Sequence, residues 1–422
     1  MDMFADQTPS EQWPGRPIGD SGRTVLARYT AAAALARLAD EGSRVALLLL
    51  VLGEGHGAAY GGLLIAALMV PHVAAAPLVG ALADRVRRRR PLYAAGLLAY
   101  GSALLGAAVC AGPAPVAAFA FAVFGGCCAP LLIGGLTSLL NELAPGNLPR
   151  AFGLDAASYS VAGIAGPAVA ALVAGWLGGI WAVAALTAAC TLSAVLVLTL
   201  PIPDHEPRRR DPAARRGRAW SALWRRPALG AVTSGTVLSM LGTGALPLVT
   251  AGLAVQLGDP ALTGIALSAM AVGNLLSSLA YARFPIRRWR PESVVLACLF
   301  GLAVPFALLP LIPGRWPTLI LFAAAGLLDG PLFASLLIVR DREAPPEVRT
   351  QVFTIGAGLK VTAAAAGAAL AGLAAGLGTG VLLLAVAGAQ VLAGVAALGF
   401  LRRGGDLLER GPGALGVQRG QH

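Results

Sequence analysis

Long apolar runs alternate with short polar breaks along the whole chain. A membrane-crossing helix needs roughly 20 mostly apolar residues. About twelve runs reach that length, near 28–53, 58–83, 92–111, 114–141, 153–176, 178–200, 227–254, 261–284, 292–312, 316–340, 351–376 and 379–401. The pattern predicts an all-α integral membrane protein. The longest polar interruption, "IPDHEPRRRDPAARRGRAWSALWRR" over 202–226, divides it into halves of similar size. The expected organisation is a tail over 1–27, a six-helix bundle over 28–201, a basic linker over 202–226, a second six-helix bundle over 227–401 and a tail over 402–422.

Composition strengthens this reading. Of 422 residues, 57% are hydrophobic and only 13% charged, against roughly a quarter charged in soluble globular chains. The net charge of +11 is nearly all arginine, since Lys360 is the only lysine. A basic balance can signal nucleic acid, but here the arginines sit in alternate short loops. These are Arg85 with Arg87 to Arg90, Arg150, Arg208 to Arg210 with Arg215, Arg216, Arg218, Arg225 and Arg226, then Arg283 with Arg287, Arg288 and Arg290, Arg340 with Arg342 and Arg349, and Arg402 with Arg403. The intervening loops hold almost none, Arg315 excepted. By the positive-inside rule both termini are expected in the cytoplasm, in a multi-pass protein of the plasma membrane with no nucleic-acid partner. Trp176, Trp181, Trp289 and Trp316 fall near span ends, as interfacial tryptophans do. The first 25 residues are polar and lack the charged-then-apolar pattern of a secretory leader, so they read as a cytoplasmic tail. Cys110, Cys127, Cys128, Cys190 and Cys298 lie in apolar runs without metal-site or disulfide spacing and read as small buried hydrophobes.

The two halves resemble each other. At a constant offset of 201 residues, Pro130, Glu142, Pro145, Phe152, Gly166 and Gly175 match Pro331, Glu343, Pro346, Phe353, Gly367 and Gly376. Duplicated six-span halves are a transporter signature, with substrate bound between them near the midplane.

After the second run stands "GALADRVRRRRPLY", residues 80–93. This resembles the cytoplasmic loop motif of the major facilitator superfamily, roughly G-x-L-a-D-R-x-G-R-R/K, with Gly80, Leu82, Asp84, Arg85, Arg88 and Arg89 in register. Arg87 replaces the second glycine. The resemblance, over about residues 28–401, implies two pseudo-repeat bundles of six helices that alternate access to a central site. It also implies a gating role for Gly80, Asp84, Arg85 and Arg88. A carboxylate at Asp84 suits the positive N-terminal end of a partner helix, such as one starting near Thr350. The alternative for "DRVRRRR" is a plain topology anchor. The second half keeps Arg283 but has Ala282 where Asp84 aligns. "GIAGPAVAA", residues 163–171, is partly similar to the fifth-span motif of the family's antiporters, keeping Gly166 and Pro167. The fourth span lacks the arginine of many proton-coupled members, and the first lacks the prolines of drug antiporters.

The first span carries Arg37, Asp40, Glu41 and Arg44 near its middle. A helix starting after Arg44 would leave "VALLLLVLG", about nine residues, to cross the bilayer, too few. The charges must therefore enter with the helix. Their spacing, i, i+3, i+4 and i+7, places them on one face. Facing lipid they would cost roughly 10–14 kcal/mol, at about 2.5–3.5 each. They are expected to pair with one another, toward a polar interior, either lining the transport path or as a structural ion cluster. In the first case one of the two carboxylates exchanges a proton. The resemblance places helices one, four, seven and ten around the cavity. That adds Asp329 on the tenth, and Thr236, Ser239 and Thr243 on one face of the seventh. Lys360, in the eleventh, is a candidate partner for Asp329 or a stem snorkelling to the surface. His72, beside Pro71, reads as a packing or kink residue, and Asp155 as a helix-start carboxylate.

These features predict a secondary transporter for a small organic solute, with proton-coupled efflux as the leading reading and proton-coupled uptake of a metabolite as the alternative. A non-transporting membrane sensor is the reading from another class. Neither a nucleophile–base pair, a metal-ligand cluster nor a nucleotide-binding loop stands in the sequence, so no enzyme, ATP-driven pump or cofactor is expected. The expected partners are the solute, protons and the lipid bilayer, for a protein acting as a monomer.

Overall fold

The computed structural model describes residues 20–56, 58–204, 212–259, 262–286 and 288–409. Arg208 to Arg210, Arg287, His205 and His422 lie outside the described residues. Twelve helical spans run in chain order. The first half holds α1 (Asp20–Gly53), α2 (Ala58–Ala83), α3 (Arg89–Cys110), α4 (Pro115–Leu143), α5 (Leu148–Leu177) and α6 (Gly179–Leu198). The second holds α7 (Pro227–Gln256), α8 (Leu262–Arg283), α9 (Pro291–Leu308), α10 (Arg315–Glu343), α11 (Arg349–Leu373) and α12 (Thr379–Glu409). Among the described residues ten helices are long and apolar enough to cross a membrane. The pair Tyr60–His72 and Ala74–Ala83, bent by 46° in α2, makes an eleventh. The twelfth is α1, whose charges keep it out of any count by hydropathy. With an even number of spans, both described ends lie on one side, called here the termini side.

Helix irregularities follow the prolines and glycines. Pro71 and Pro77 lie inside α2 and remove backbone donors at its bend. In α4 the α-helix runs to Pro130 and loosens into a π-turn over Leu131–Gly135. A break at Gly244 divides α7, where a methyl would stand 2.1 Å from the Ala364 carbonyl oxygen of α11. The linker is not wholly irregular, since Pro212–Arg225 is a helix. Its Ala219, Ala222 and Leu223 pack on Leu229, Val348 and Val352.

Each half has its own apolar core. Tyr29, Leu47, Leu97, Tyr100 and Phe152 anchor the first, and Leu299, Phe306, Phe322 and Val386 the second. Small residues bring α1 against α5: a methyl on Gly42 would meet the Gly166 carbonyl oxygen at 2.8 Å.

The halves meet through α2 against α11 and α5 against α8. Gly80, Gly134 and Gly153 press on Gln351 and Thr354, on Phe353, and on Ala282 respectively, each too close to admit a side chain. The hydrogen bonds between halves run from Ala76, Asp84, Ser138, Asn141 and Ser160 to Asn274, Asp341, Thr350, Gln351 and Thr354. Phe152 stacks on Phe353 with centroids 6.4 Å apart. All of these lie between the midplane and the termini side. The structure is therefore closed toward the termini.

Candidate functional site

The four charges of α1 separate into two groups. Arg44 reaches both carboxylates, through Nη1 to Glu41 Oε2 at 2.8 Å and Nη2 to Asp40 Oδ2 at 3.2 Å. The Tyr100 hydroxyl donates to Asp40 Oδ1 at 3.1 Å. Both acids are held on both oxygens, Asp40 by Arg44 and Tyr100 and Glu41 by Arg44 alone, with Nη2 reaching Glu41 Oε1 at 3.4 Å. Asp40 is 9% exposed and Glu41, at 36%, is the more open member of the pair.

Arg37 departs from the expectation that all four pair together. It lies about 10 Å nearer the termini side than Arg44 at 1.5 Å per residue, and there it meets α5. Its Nη2 contacts Asp155 Oδ1 at 2.7 Å, its Nη1 donates to the Asp155 carbonyl at 2.9 Å, and Thr137 and Ser158 accept further bonds. Tyr29 and Thr137 hydroxyls donate to the same carboxylate at 2.6 and 3.0 Å. The guanidinium lies 3.6 Å from the Tyr159 ring centroid. Asp155 is accordingly no helix-start carboxylate. It is fully buried, and together with Arg37 it forms a tie between α1, α4 and α5.

In the second half, Asp329 and Lys360 line one cavity of about 30 Å³ with Thr236, Ser239 and Phe333. They do not form the expected ion pair. Asp329 accepts a hydrogen bond from Asn274, whose own Oδ1 accepts from Ser160 Oγ across the interface at 2.8 Å. Lys360 Nζ stands 4.3 Å above Phe333 and 5.6 Å from Tyr159. The charged groups around it are Asp329 and, from the other half, Glu41, with Arg340 and Arg37 as like charges. Thr243 donates to Ser239 O of its own helix at 3.1 Å and is not among the residues lining this cavity. Ser239 itself is tied to Gln390 at 2.7 Å. A second cavity, about 20 Å³, lies on the other side of α11 between Asp40, Arg44, His72 and Val361.

The loop motif joins the two halves on the termini side. Thr350 N donates to Asp84 Oδ1 at 3.0 Å and Gln351 N to Oδ2 at 2.9 Å, so the carboxylate caps the first turn of α11. Burial pushes the Asp84 carboxyl up to about 6, while the hydrogen bonds from Thr350 and Gln351 and the nearby Arg89 pull it back down. The side chains of Arg88 and Arg85 make no ion pair or hydrogen bond among the described residues. Arg88 stands just outside α3 with its side chain exposed, and Arg85 is half-buried. The next residue, Arg89, turns inward in the first turn of α3, is buried and pairs with Glu142 at 2.6 Å. Arg340, expected in a loop, is inside the protein at 4% exposure. It lies against Gly356 and 5.9 Å from the Phe353 ring centroid, and its Nε and Nη2 have no hydrogen-bond partner among the described residues. Gly166, of the partial antiporter pattern, packs on α1 with its methyl position 3.1 Å from Glu41 Cβ. Pro167 follows it inside α5.

Asp155, Asn274, Tyr100 and Arg340 carry much of this site and were not singled out for it from the sequence. An isolated Asn in the apolar run "AVGNLLSSLA" was the available signal for Asn274.

Two six-helix halves that meet at the midplane around facing charges and are closed on the termini side have the build of a membrane carrier. Residues 29–242, which take in the first half, the linker and the first part of α7, match the Major Facilitator Superfamily, and the chain belongs to that family. An uncharacterized MFS-type transporter, y4rN of Sinorhizobium fredii (strain NBRC 101917 / NGR234), is 27% identical over 356 residues, spanning 81% of this chain and 86% of that one. Among solved structures, the human organic anion transporter MFSD10 (TETRAN) superposes with a TM-score of 0.73 at 17% identity, over 90% of this chain and 100% of that one. A bacterial homologue of the iron transporter ferroportin, in an outward-facing state, gives 0.71 at 15%, over 90% and 99%. The Escherichia coli fucose:proton symporter FucP gives 0.72 at 13%, again over 90% and 99%. At these identities the solved structures speak for the fold alone.

Proposed function

We propose that this transporter moves a small organic solute by alternating access, coupled to protons at Glu41, and that it works as an exporter in the plasma membrane with the termini side cytoplasmic. The observation that carries the coupling is the difference between the two acids. Asp40 is held by Tyr100 as well as Arg44, whereas Glu41 is held by Arg44 alone and is the more exposed, and we take its charge to be felt by Lys360 across the interface. While Glu41 is charged, Lys360 has one counter-charge in each half, Glu41 and Asp329. A proton on Glu41 removes the one that ties the halves together, so the halves separate at lower cost on the termini side. Return of the negative charge favours closure. Export is supported by Gly166 packing directly on the Glu41 turn, which brings the antiporter-like Gly166–Pro167 step of α5 to the coupling residue.

The test is accumulation of a panel of labelled small molecules in cells expressing wild type, Glu41→Gln or Asp40→Asn at equal levels, with and without a protonophore. Export predicts that wild type lowers accumulation of a compound and that both Glu41→Gln and the protonophore remove the effect. Raised accumulation in wild type turns the reading to uptake. Undiminished transport by Glu41→Gln refutes the coupling role.

A further inference from the structure

The linker helix, Pro212–Arg225, is built unlike the spans. Its sequence, "PAARRGRAWSALWR", holds four arginines and no acid. One face is taken up by the protein, where Ala219, Ala222 and Leu223 pack on Leu229 of α7 and on Val348 and Val352 around the start of α11. Beside that face stand Trp220 and Trp224, one turn apart, 49% and 37% exposed and in edge contact with each other. A basic helix that leaves large rings uncovered matches a surface that is apolar and acidic together.

Its place in the fold supplies such a surface. Trp224 lies against Phe400 of α12, with ring centroids 6.2 Å apart. The exposed apolar stripe of α12 runs through Leu384, Leu392 and Val395. Phe400 stands about 8 Å beyond its end at 1.5 Å per residue, and the exposed Arg402 and Arg403 follow. The tryptophans therefore sit where hydrocarbon gives way to head groups, the level at which aromatic rings settle. Arg225 is exposed in the same neighbourhood.

We infer that the linker helix docks on the membrane surface, with its tryptophans in the head-group layer and Arg225, Arg402 and Arg403 on the phosphates of anionic phospholipids, and that this docking favours closure on the termini side. The helix is fixed to the second half by its packed face, and it also touches α2 of the first. Opening breaks that touch and tilts the helix against the layer. Anionic lipid attracts basic segments held near it, so it binds the docked, closed state better. A lipid shifts a conformational balance only through such a difference. The inference shares with the proposed function only the opening and closing of the halves. Neither a solute nor Glu41 enters it, so each can fail without the other.

The experiment uses the full chain, without its native cysteines, in nanodiscs of phosphatidylcholine alone or of phosphatidylcholine and phosphatidylglycerol in equal parts. A spin label on Trp220→Cys reports depth through its accessibility to oxygen and to a water-soluble nickel chelate. A label pair on Arg88→Cys and Pro346→Cys, both exposed, reports the gate. The expected results are a position-220 label shielded from the chelate and shorter gate distances with phosphatidylglycerol than without it. Arg225→Gln/Arg402→Gln/Arg403→Gln changes three exposed side chains and should lose most of that shortening. Removing the same charge at the exposed Arg283, Arg288 and Arg290 should leave it in place. A position-220 label open to the chelate, or gate distances equal in the two lipids, overturns the inference. So does an equal response from the two triple variants, whether kept or lost.

Discussion

Gly80→Ala tests whether the latch between α2 and α11 sets the balance of open and closed states. A methyl at Gly80 would stand 2.3 Å from Thr354 Oγ1, 2.6 Å from Gln351 Cα and 3.1 Å from Gln351 N. Carbon contacts settle near 3.5–4.0 Å, so the α11 backbone must retreat by about 1 Å. Thr354 cannot simply swing aside, because its hydroxyl donates to Ala76 O at 2.8 Å and to Gln351 O at 3.1 Å. The retreat also stretches the two amide bonds to Asp84, now 3.0 and 2.9 Å, past hydrogen-bonding range. Overpacking alone costs about 1–3 kcal/mol, and the cost falls only on the closed state. That shifts the population toward opening on the termini side by about 5–150-fold. Gly62→Ala is the matched control, on the same helix with nothing within 4 Å of the added methyl. Spin labels on Arg88→Cys and Pro346→Cys, both at exposed positions, in a background without the native cysteines, report the separation. Gly80→Ala is expected to populate longer distances while Gly62→Ala matches the parent. Equal distributions for the two would refute the claim that close approach at Gly80 holds the gate.

The same label pair gives a pH test. Asp84 sits near 6 in the closed gate and near 3.9 when solvated, so the closed state binds the proton more tightly. Its contribution to closure is full below about 4 and lost as pH rises through 6. Shorter distances are expected at pH 5 than at pH 7.5, and Asp84→Asn should abolish that part of the change. An equal response in the variant would mean that other groups carry it. Arg37→Met leaves Asp155 buried and uncompensated, which should cost about 3–5 kcal/mol, seen as a lower melting temperature in detergent. The double variant Arg37→Met/Asp155→Asn should recover most of the loss, and no recovery would mean that the pair is not the tie described. Arg340→Met removes a buried charge with unpaired nitrogens, so the melting temperature should hold or rise. A fall of several degrees would show that the charge is compensated after all.

Much of this protein is legible along the chain because the bilayer imposes a length and a polarity on every span. The run lengths mark twelve spans in two halves of six, and they require α1 to take its charges into the membrane. The loop motif points from Asp84 to the start of α11, where Thr350 and Gln351 present their amides. The span readings need only spacing within one helix and the free energy of transfer from water, whereas the reading of Asp84 came from the resemblance of its loop to the family motif. Pairing needs more. Arg37 and Arg44 share a face of α1, yet one meets Asp155, 118 positions away, and the other meets Asp40 and Glu41. Periodicity gives the direction of a side chain around its own axis. It does not give the depth at which a neighbouring helix offers a partner. That depth follows from how closely helices approach, through contacts such as Gly42 on Gly166 and Gly80 on Gln351. The same rotations and depths make Glu41 the more exposed acid, turn Arg89 rather than Arg88 inward, and leave Arg340 and His72 buried with unpaired nitrogens. The chain determined what enters the membrane, and the packing decided which charges find one another there.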